Sequence, residues 1–132
     1  MGDPETETVL PLIESDFVEL MVATAKGKLY ETNLKISNQH AATVMLVSAG
    51  YPGEYEKGKV MTNLEPSNNS MLFHAGTTLN NNNEIVTNGG RVLAVTSIGN
   101  SLSEAVSKSM KTAENISFEG KYFRTDIGFE FL

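Results

Sequence analysis

Gly89-Gly90-Arg91-Val92-Leu93-Ala94-Val95-Thr96-Ser97-Ile98 is the most strand-like run in the sequence by its β-branched content, and two glycines set off its start. A helix comes next. Ser101 and Glu104 have the spacing of a capping box, and Leu102, Ala105, Val106, Met110 and Ala113 form one apolar stripe. On the N-terminal side of the glycines lies a series of short apolar runs broken by turn residues. Met71-Leu72-Phe73 ends at His74-Ala75-Gly76-Thr77, and Leu79 and Ile85 flank Asn80 to Asn83 as the arms of a hairpin. Further upstream, Ala42 to Ser48 reads as a largely buried strand, Leu34 with Ile36 as a short alternating one, and Val60 to Leu64 as another. Phe118, Tyr122, Phe123, Ile127, Phe129 and Phe131 suggest a last strand or extended segment on the sheet. The pattern predicts an α+β fold in which one helix packs on a mainly β domain.

Before Gly27 the grammar is helical. Asp3 followed by Pro4 reads as an N-cap with proline at the first helical position, and Pro11 divides the segment into a short helix to about Leu10 and a second one. Ser15 can cap the second helix, whose stripe is Phe17, Leu20, Met21 and Thr24, with Gly27 as its stop.

Composition narrows the function classes. The 132 residues suit one ordinary domain, and 40% hydrophobic against 20% charged residues is a globular balance. Ten basic against sixteen acidic residues give a net charge of −6, which repels phosphate backbones and anionic headgroups, so nucleic acid and membrane are poor partners. Without cysteine there is no disulfide, thiol nucleophile or cysteine zinc site, and two histidines make a His-rich metal cage unpromising. The acidic start and the lack of an apolar run near the ~20 residues of a bilayer span predict a soluble cytoplasmic protein.

Four segments could carry chemistry, and each has a plainer reading. Asp3 and Glu5 are a capped helix start, or paired carboxylates near a metal or a substrate amine. His74 is a hydrogen-bonded structural histidine, or, with Gly76 and Thr77, part of a loop offering an imidazole, a hydroxyl and backbone amides to a small anion. Gly89-Gly90-Arg91 is a glycine turn with a solvated arginine, or glycines opening backbone access beside a guanidinium that forks onto a phosphate. The loop with Tyr51, Tyr55 and Lys57 is a packing lid, or a surface that stacks on and pairs with a ligand. No Walker or Rossmann glycine pattern occurs, and no Ser, His and acid constellation can be assembled.

In order along the chain, Gly2-Asp3-Pro4-Glu5-Thr6-Glu7, Gly50-Tyr51-Pro52-Gly53 with Tyr55 and Lys57-Gly58, Phe73-His74-Ala75-Gly76-Thr77, Gly89 to Thr96, Phe118-Glu119-Gly120 and Tyr122 to Gly128 resemble the C-terminal part of the phosphoribosylamine–glycine ligases (glycinamide ribonucleotide synthetases). These are ATP-grasp enzymes of purine biosynthesis, and the series covers nearly the whole chain. The resemblance implies that residues 1–26 are closing helices of an ATP-grasp core and residues 27–132 a substrate-side domain of barrel-sandwich-hybrid type. It implies a parent enzyme that joins glycine to 5-phosphoribosylamine with hydrolysis of ATP to ADP and phosphate. Because the family's magnesium ligands lie upstream of the signature at which this chain begins, the chain looks like a fragment: ATP and magnesium belong to the full-length enzyme, no catalytic or metal residue is expected here, and the rest of the ATP-grasp chain is the expected partner. By analogy within the ATP-grasp group Arg91 is the first choice for the ribose phosphate, with His74, Gly76, Thr77, Gly90, Asp3 and Glu5 as the other substrate-side residues. The rival function is a free-standing module that binds a phosphate-bearing metabolite.

Overall fold

The computed structural model describes residues 2, 4–65 and 69–131. Its centre is the antiparallel ladder between β1 (His40–Ser48) and β5 (Arg91–Gly99), in register from His40 opposite Gly99 to Leu46 opposite Leu93. β2 (Met71–His74) pairs on the far side of β5, and β6 (Lys121–Tyr122) on the far side of β1, giving the order β2-β5-β1-β6. β3 (Thr77–Leu79) and β4 (Ile85–Thr87) form a separate two-stranded sheet. The hairpin between them turns on Asn80, whose Oδ1 accepts from the amides of Asn82 and Glu84, and on Asn83 at φ 59°. This α+β arrangement agrees with the sequence reading.

Alternation along β1 assigns the two faces of the sheet. Ala42, Val44, Leu46 and Ser48 are buried on one face, the first three of them against α3 (Leu102–Asn115) and its end. Val44, Leu46, Leu93 and Val95 cluster there with Ala113, Ile116, Phe118 and Met61, while Ala105 and Val106 pack on Ala42. Polar groups in this layer are paired: Ser109 Oγ donates to the Ala42 carbonyl at 2.8 Å, and Ser70 Oγ lies 2.7 Å from Ser97 Oγ and 2.8 Å from Thr112 Oγ1. On the opposite face a hydroxyl chain, Thr8 to Thr43 to Thr96 at 2.7 Å per step, ties α1 (Glu5–Val9) to the middle of the sheet.

Both ends of α3 are closed by side chains. Ser101 Oγ accepts from the Glu104 amide at 3.1 Å, and Glu104 Oε2 reaches back to the Asn100 amide at 2.7 Å, one residue before the amide a capping box would use. At the other end Lys121 Nζ donates to the carbonyls of Ala113 and Glu114, both at 2.9 Å, and to that of Ile116. A cation at the negative end of a helix satisfies its last carbonyls, although burial lowers the pKa of this ammonium.

Several local expectations are corrected. Pro4 stands at the N-cap of α1 and not at its first helical position; Asp3 lies outside the described residues. Pro11 falls within a short 3-10 turn, Leu10–Leu12. The second helix, α2 (Phe17–Ala25), is capped by Asp16, whose Oδ1 accepts from the amides of Val18 and Glu19 at 2.8 and 3.1 Å. Ser15 is engaged elsewhere, donating to the Asn33 carbonyl and accepting from the Lys35 amide. Leu34 and Ile36 form no strand; the backbone there reaches only an isolated bridge from Ile36 to Ile13, and both side chains are half exposed. Val60 to Leu64 likewise makes only two isolated bridges, Val60 to Val86 and Thr62 to Ser117, on either side of buried Met61. The tail forms the two-residue β6 and a 3-10 turn, Phe129–Phe131, with Phe118 buried but Tyr122, Phe129 and Phe131 exposed. No helix among the described residues is long and apolar enough to cross a membrane.

The N-terminal helices leave apolar surface uncovered. In α2 only Leu20 and Ala23 are buried, whereas Val18 and Met21 are 68% and 59% exposed, and an apolar groove of about 420 Å³ runs between Ile13, Phe17, Met21, Leu29 and Leu34. Amides of α2 are therefore expected to exchange with solvent orders of magnitude faster than those of β1 and β5, as measured by native-state hydrogen exchange; equal protection in a dilute monomer would contradict this assignment of the core. Ser101→Ala should lower the unfolding free energy by about 1 kcal/mol, read from the urea midpoint at constant m-value. Hydrogen bonds from Lys108 and the Asn100 amide hold the Glu104 carboxyl below its usual range. Its contribution is thus present above the ordinary carboxylate pKa and lost as pH falls through the folded value, so the stability gap between wild type and Glu104→Gln should narrow as pH falls below the ordinary carboxylate range.

Candidate functional site

Two loops meet at the β2 end of the central strand. β2 finishes at His74, opposite Leu93, and the chain then wraps over β5 so that the amides of Ala75 and Gly76 both donate to the Val92 carbonyl at 3.1 Å. The Gly76 carbonyl in turn accepts from the Asn88 amide at 2.8 Å. This pins the start of the small sheet against the turn that leads into β5. The two backbones touch: a Cβ on Gly76 would lie 2.6 Å from Gly89 Cα and overlap the Arg91 carbonyl, and one on Gly89 would lie 2.9 Å from Gly76 Cα. Glycine is required at both positions because main chain packs on main chain.

Around this contact the predicted substrate-side residues fall into place unequally. His74 is exposed, and its Nδ1 lies 2.9 Å from Thr77 Oγ1, which fixes the ring and leaves Nε2 unused among the described residues. Arg91, half-buried, opens β5 where the ladder slips by one residue: Leu46 faces Leu93, but the next residue, Val47, faces Arg91. An irregularity of this kind takes a side chain out of the strict in-and-out alternation of the strand, a device frequent beside binding sites. The backbones that carry His74, Gly76, Thr77, Gly90 and Arg91 therefore meet at one rim of the sheet, the start of β5. Among the described residues no contact joins Glu5 to it. It sits exposed on the first turn of α1, folded back against Gly2, and α1 meets the sheet at Thr43, four residues (about 13 Å of strand) from Val47.

The expectation that two glycines leave open space beside Arg91 needs correction. Gly90 is buried, and a Cβ there would overlap the Tyr51 ring. The loop carrying that ring is fastened to the same turn: Ser48 donates its amide to the Gly90 carbonyl at 2.8 Å and its hydroxyl to the Gly89 carbonyl at 2.9 Å, and the Tyr51 amide returns to the Ser48 carbonyl at 3.1 Å. Tyr55 meets Tyr51 edge-on, with ring centroids 6.3 Å apart. Beyond them Lys59 Nζ is held between Glu56 and Glu119 at 2.7 and 3.1 Å, which raises the lysine pKa and lowers that of Glu56. The amides of Gly58 and Thr87 complete the attachment, donating to the Thr87 and Lys59 carbonyls. Ser48 carried no signal in the sequence beyond being a small polar residue at a strand end, and the tyrosine loop could be singled out but not placed.

Chemically the rim offers a guanidinium, an imidazole nitrogen and a hydroxyl, a set that suits an anion such as phosphate. Among the described residues no three of His, Cys, Asp and Glu come together as a metal would require.

Comparison with known proteins agrees with the resemblance read from the motifs. Residues 41–130 match the family described as phosphoribosylglycinamide synthetase, C domain. A bifunctional purine biosynthetic protein of Dictyostelium discoideum is 49% identical over 131 residues, covering 97% of this chain and 16% of the relative. A phosphoribosylamine–glycine ligase of Caldanaerobacter subterraneus is 44% identical over 126 residues, covering 96% and 30% respectively. The crystal structure of phosphoribosylamine–glycine ligase from Thermotoga maritima superposes with a TM-score of 0.76 at 34% identity over 96% of this chain and 31% of that one. The chain thus spans about a third or less of the length of these relatives. With the family match extending over most of its length and the fold matching as well, the chain belongs to the phosphoribosylglycinamide synthetase C-domain family.

Proposed function

We propose that this chain is the C-terminal, substrate-side domain of a cytoplasmic phosphoribosylamine–glycine ligase, which joins glycine to 5-phosphoribosylamine at the expense of ATP in purine biosynthesis. In this reading residues 1–26 are the closing helices of the ATP-grasp core, and residues 27–132 form the domain of barrel-sandwich-hybrid type. The uncovered face of α2 supports the first part, since a helix with Val18 and Met21 exposed is suited to pack against further protein. ATP and magnesium are assigned to the remainder of the ligase, as the family resemblance implies, and no step is derived through them.

The observation that supports the reading is the Gly76–Gly89 contact, because it sets the His74 loop beside the start of β5. Arg91 is assigned to the ribose phosphate: a planar guanidinium donates two parallel hydrogen bonds to phosphate oxygens, which fixes orientation as well as charge. His74 Nε2 and the Thr77 hydroxyl are assigned to the same group or to a ribose hydroxyl, with the backbone near Gly76 and Gly90 shaping the wall. Asp3 and Glu5 are assigned to the substrate amine as paired carboxylates. The role of the rim is to bind and orient the phosphoribosylamine; its residues supply no proton transfer.

Hydrogen bonds to charged groups contribute about 1.5–3 kcal/mol each, so Arg91→Ala in a complete ligase carrying this domain should raise the KM for phosphoribosylamine by about one to two decades while the KM for ATP stays within about twofold. Steady-state kinetics with each substrate varied in turn decides it, and an unchanged phosphoribosylamine KM would remove Arg91 from the site. The 132-residue chain by itself should show no glycine-dependent ADP release above a no-enzyme blank, because positioning of both substrates and the nucleotide is required together.

A further inference from the structure

The tyrosine loop is bound to the turn that leads into Arg91. Three contacts join them: the Tyr51 ring occupying the space over Gly90, the Ser48 amide on the Gly90 carbonyl and the Ser48 hydroxyl on the Gly89 carbonyl. On the opposite side Gly89 is blocked by Gly76. The peptide units immediately before Arg91 are therefore clamped between the His74 loop and an aromatic ring, and the register slip at Arg91 begins at the next residue. The ring itself is braced by Tyr55 at one edge, and the loop is anchored farther along by Lys59 between Glu56 and Glu119. A flat ring is what the space accepts: with hydrogen alone at the Gly90 α-carbon, the ring comes closer than any larger residue at 90 would permit.

We infer that Tyr51 is a positioning residue for phosphoribosylamine, acting through Gly90 to hold the Arg91 guanidinium where it meets the phosphate; this rests on the assignment of Arg91 made above. The glycine at 90 then serves the clamp and not access of the ligand to the backbone. The tyrosine hydroxyl has no part in the contact with Gly90, which involves ring carbons.

The test is a mutant cycle in a complete ligase carrying this domain, with phosphoribosylamine KM and kcat measured separately. Displacing a binding group by a fraction of an ångström to an ångström weakens productive binding by about 10-fold or more, so Tyr51→Ala should raise that KM about 10-fold with kcat nearly unaffected. Tyr51→Phe should restore the KM, because the ring is retained. In an Arg91→Ala background Tyr51→Ala should add no further increase, a non-additivity that a general loss of structure would not produce. Should Tyr51→Ala fail to accumulate as folded protein, Gly90→Ala, which displaces the ring from the other side, runs through the same cycle with the same expectations. If Arg91→Ala raises the KM but Tyr51→Ala and Gly90→Ala do not, or if they add their full factor on top of Arg91→Ala, the positioning role is wrong and the phosphate assignment stands. If Arg91→Ala itself leaves the KM unchanged, both fall.

Discussion

Main chain meets main chain at Gly76 and Gly89, and the position of every group on the rim depends on that contact. The two residues belong to segments thirteen apart in sequence, one leaving β2 and the other leading into β5. Bringing them together requires the absence of a side chain on both, and three backbone hydrogen bonds, from Ala75, Gly76 and Asn88, keep them there. The small β3–β4 sheet is consequently tethered at its base to the edge of the large one, so that His74 and Arg91 stand at one end of the same strand pair.

The rest of the domain makes that end rigid. β5 is central, flanked by β1 and β2, and the side chains of Val92, Leu93, Ala94 and Val95 are fully buried, so the strand that starts at Arg91 has no freedom to shift. α3 covers one face and is closed at both ends by side chains, Ser101 with Glu104 and then Lys121. Such packing suits a scaffold that presents loops. The N-terminal segment differs: α1 is tied down by the Thr8–Thr43 hydroxyl pair, but α2 buries only two residues and carries an open apolar groove, the property of an element that packs elsewhere.

How much of this was legible depended on whether a feature is local. β5, β1 and α3 could be read because buried strands and a capped amphipathic helix write their period directly into sequence, and the β3–β4 hairpin because its four asparagines have no other good use. Leu34, Ile36 and the Val60–Leu64 run have strand composition, but they make isolated bridges only. Ser15 and Asp16 are both competent caps, and the choice between them was made by a contact with residues 33–35 that no local pattern announces. At the rim the residue types were visible while the reason for the glycines was not. Gly90 reads as an opening until the ring of a residue thirty-nine positions away is placed on it. Long-range contacts between backbone and side chain leave only a glycine as their trace, and a glycine has many explanations.

The central claim is that the rim built on Gly76 and Gly89 holds the phosphate of the phosphoribosyl substrate. A crystal structure of a complete ligase carrying this domain with glycinamide ribonucleotide bound tests it most directly. The expected result is the phosphate within hydrogen-bond distance, about 3 Å, of two nitrogens of Arg91, with the His74 imidazole facing the same ligand and the Tyr51 ring still seated on Gly90. Phosphate bound by residues elsewhere, with the Arg91 guanidinium turned to a protein partner, would contradict it.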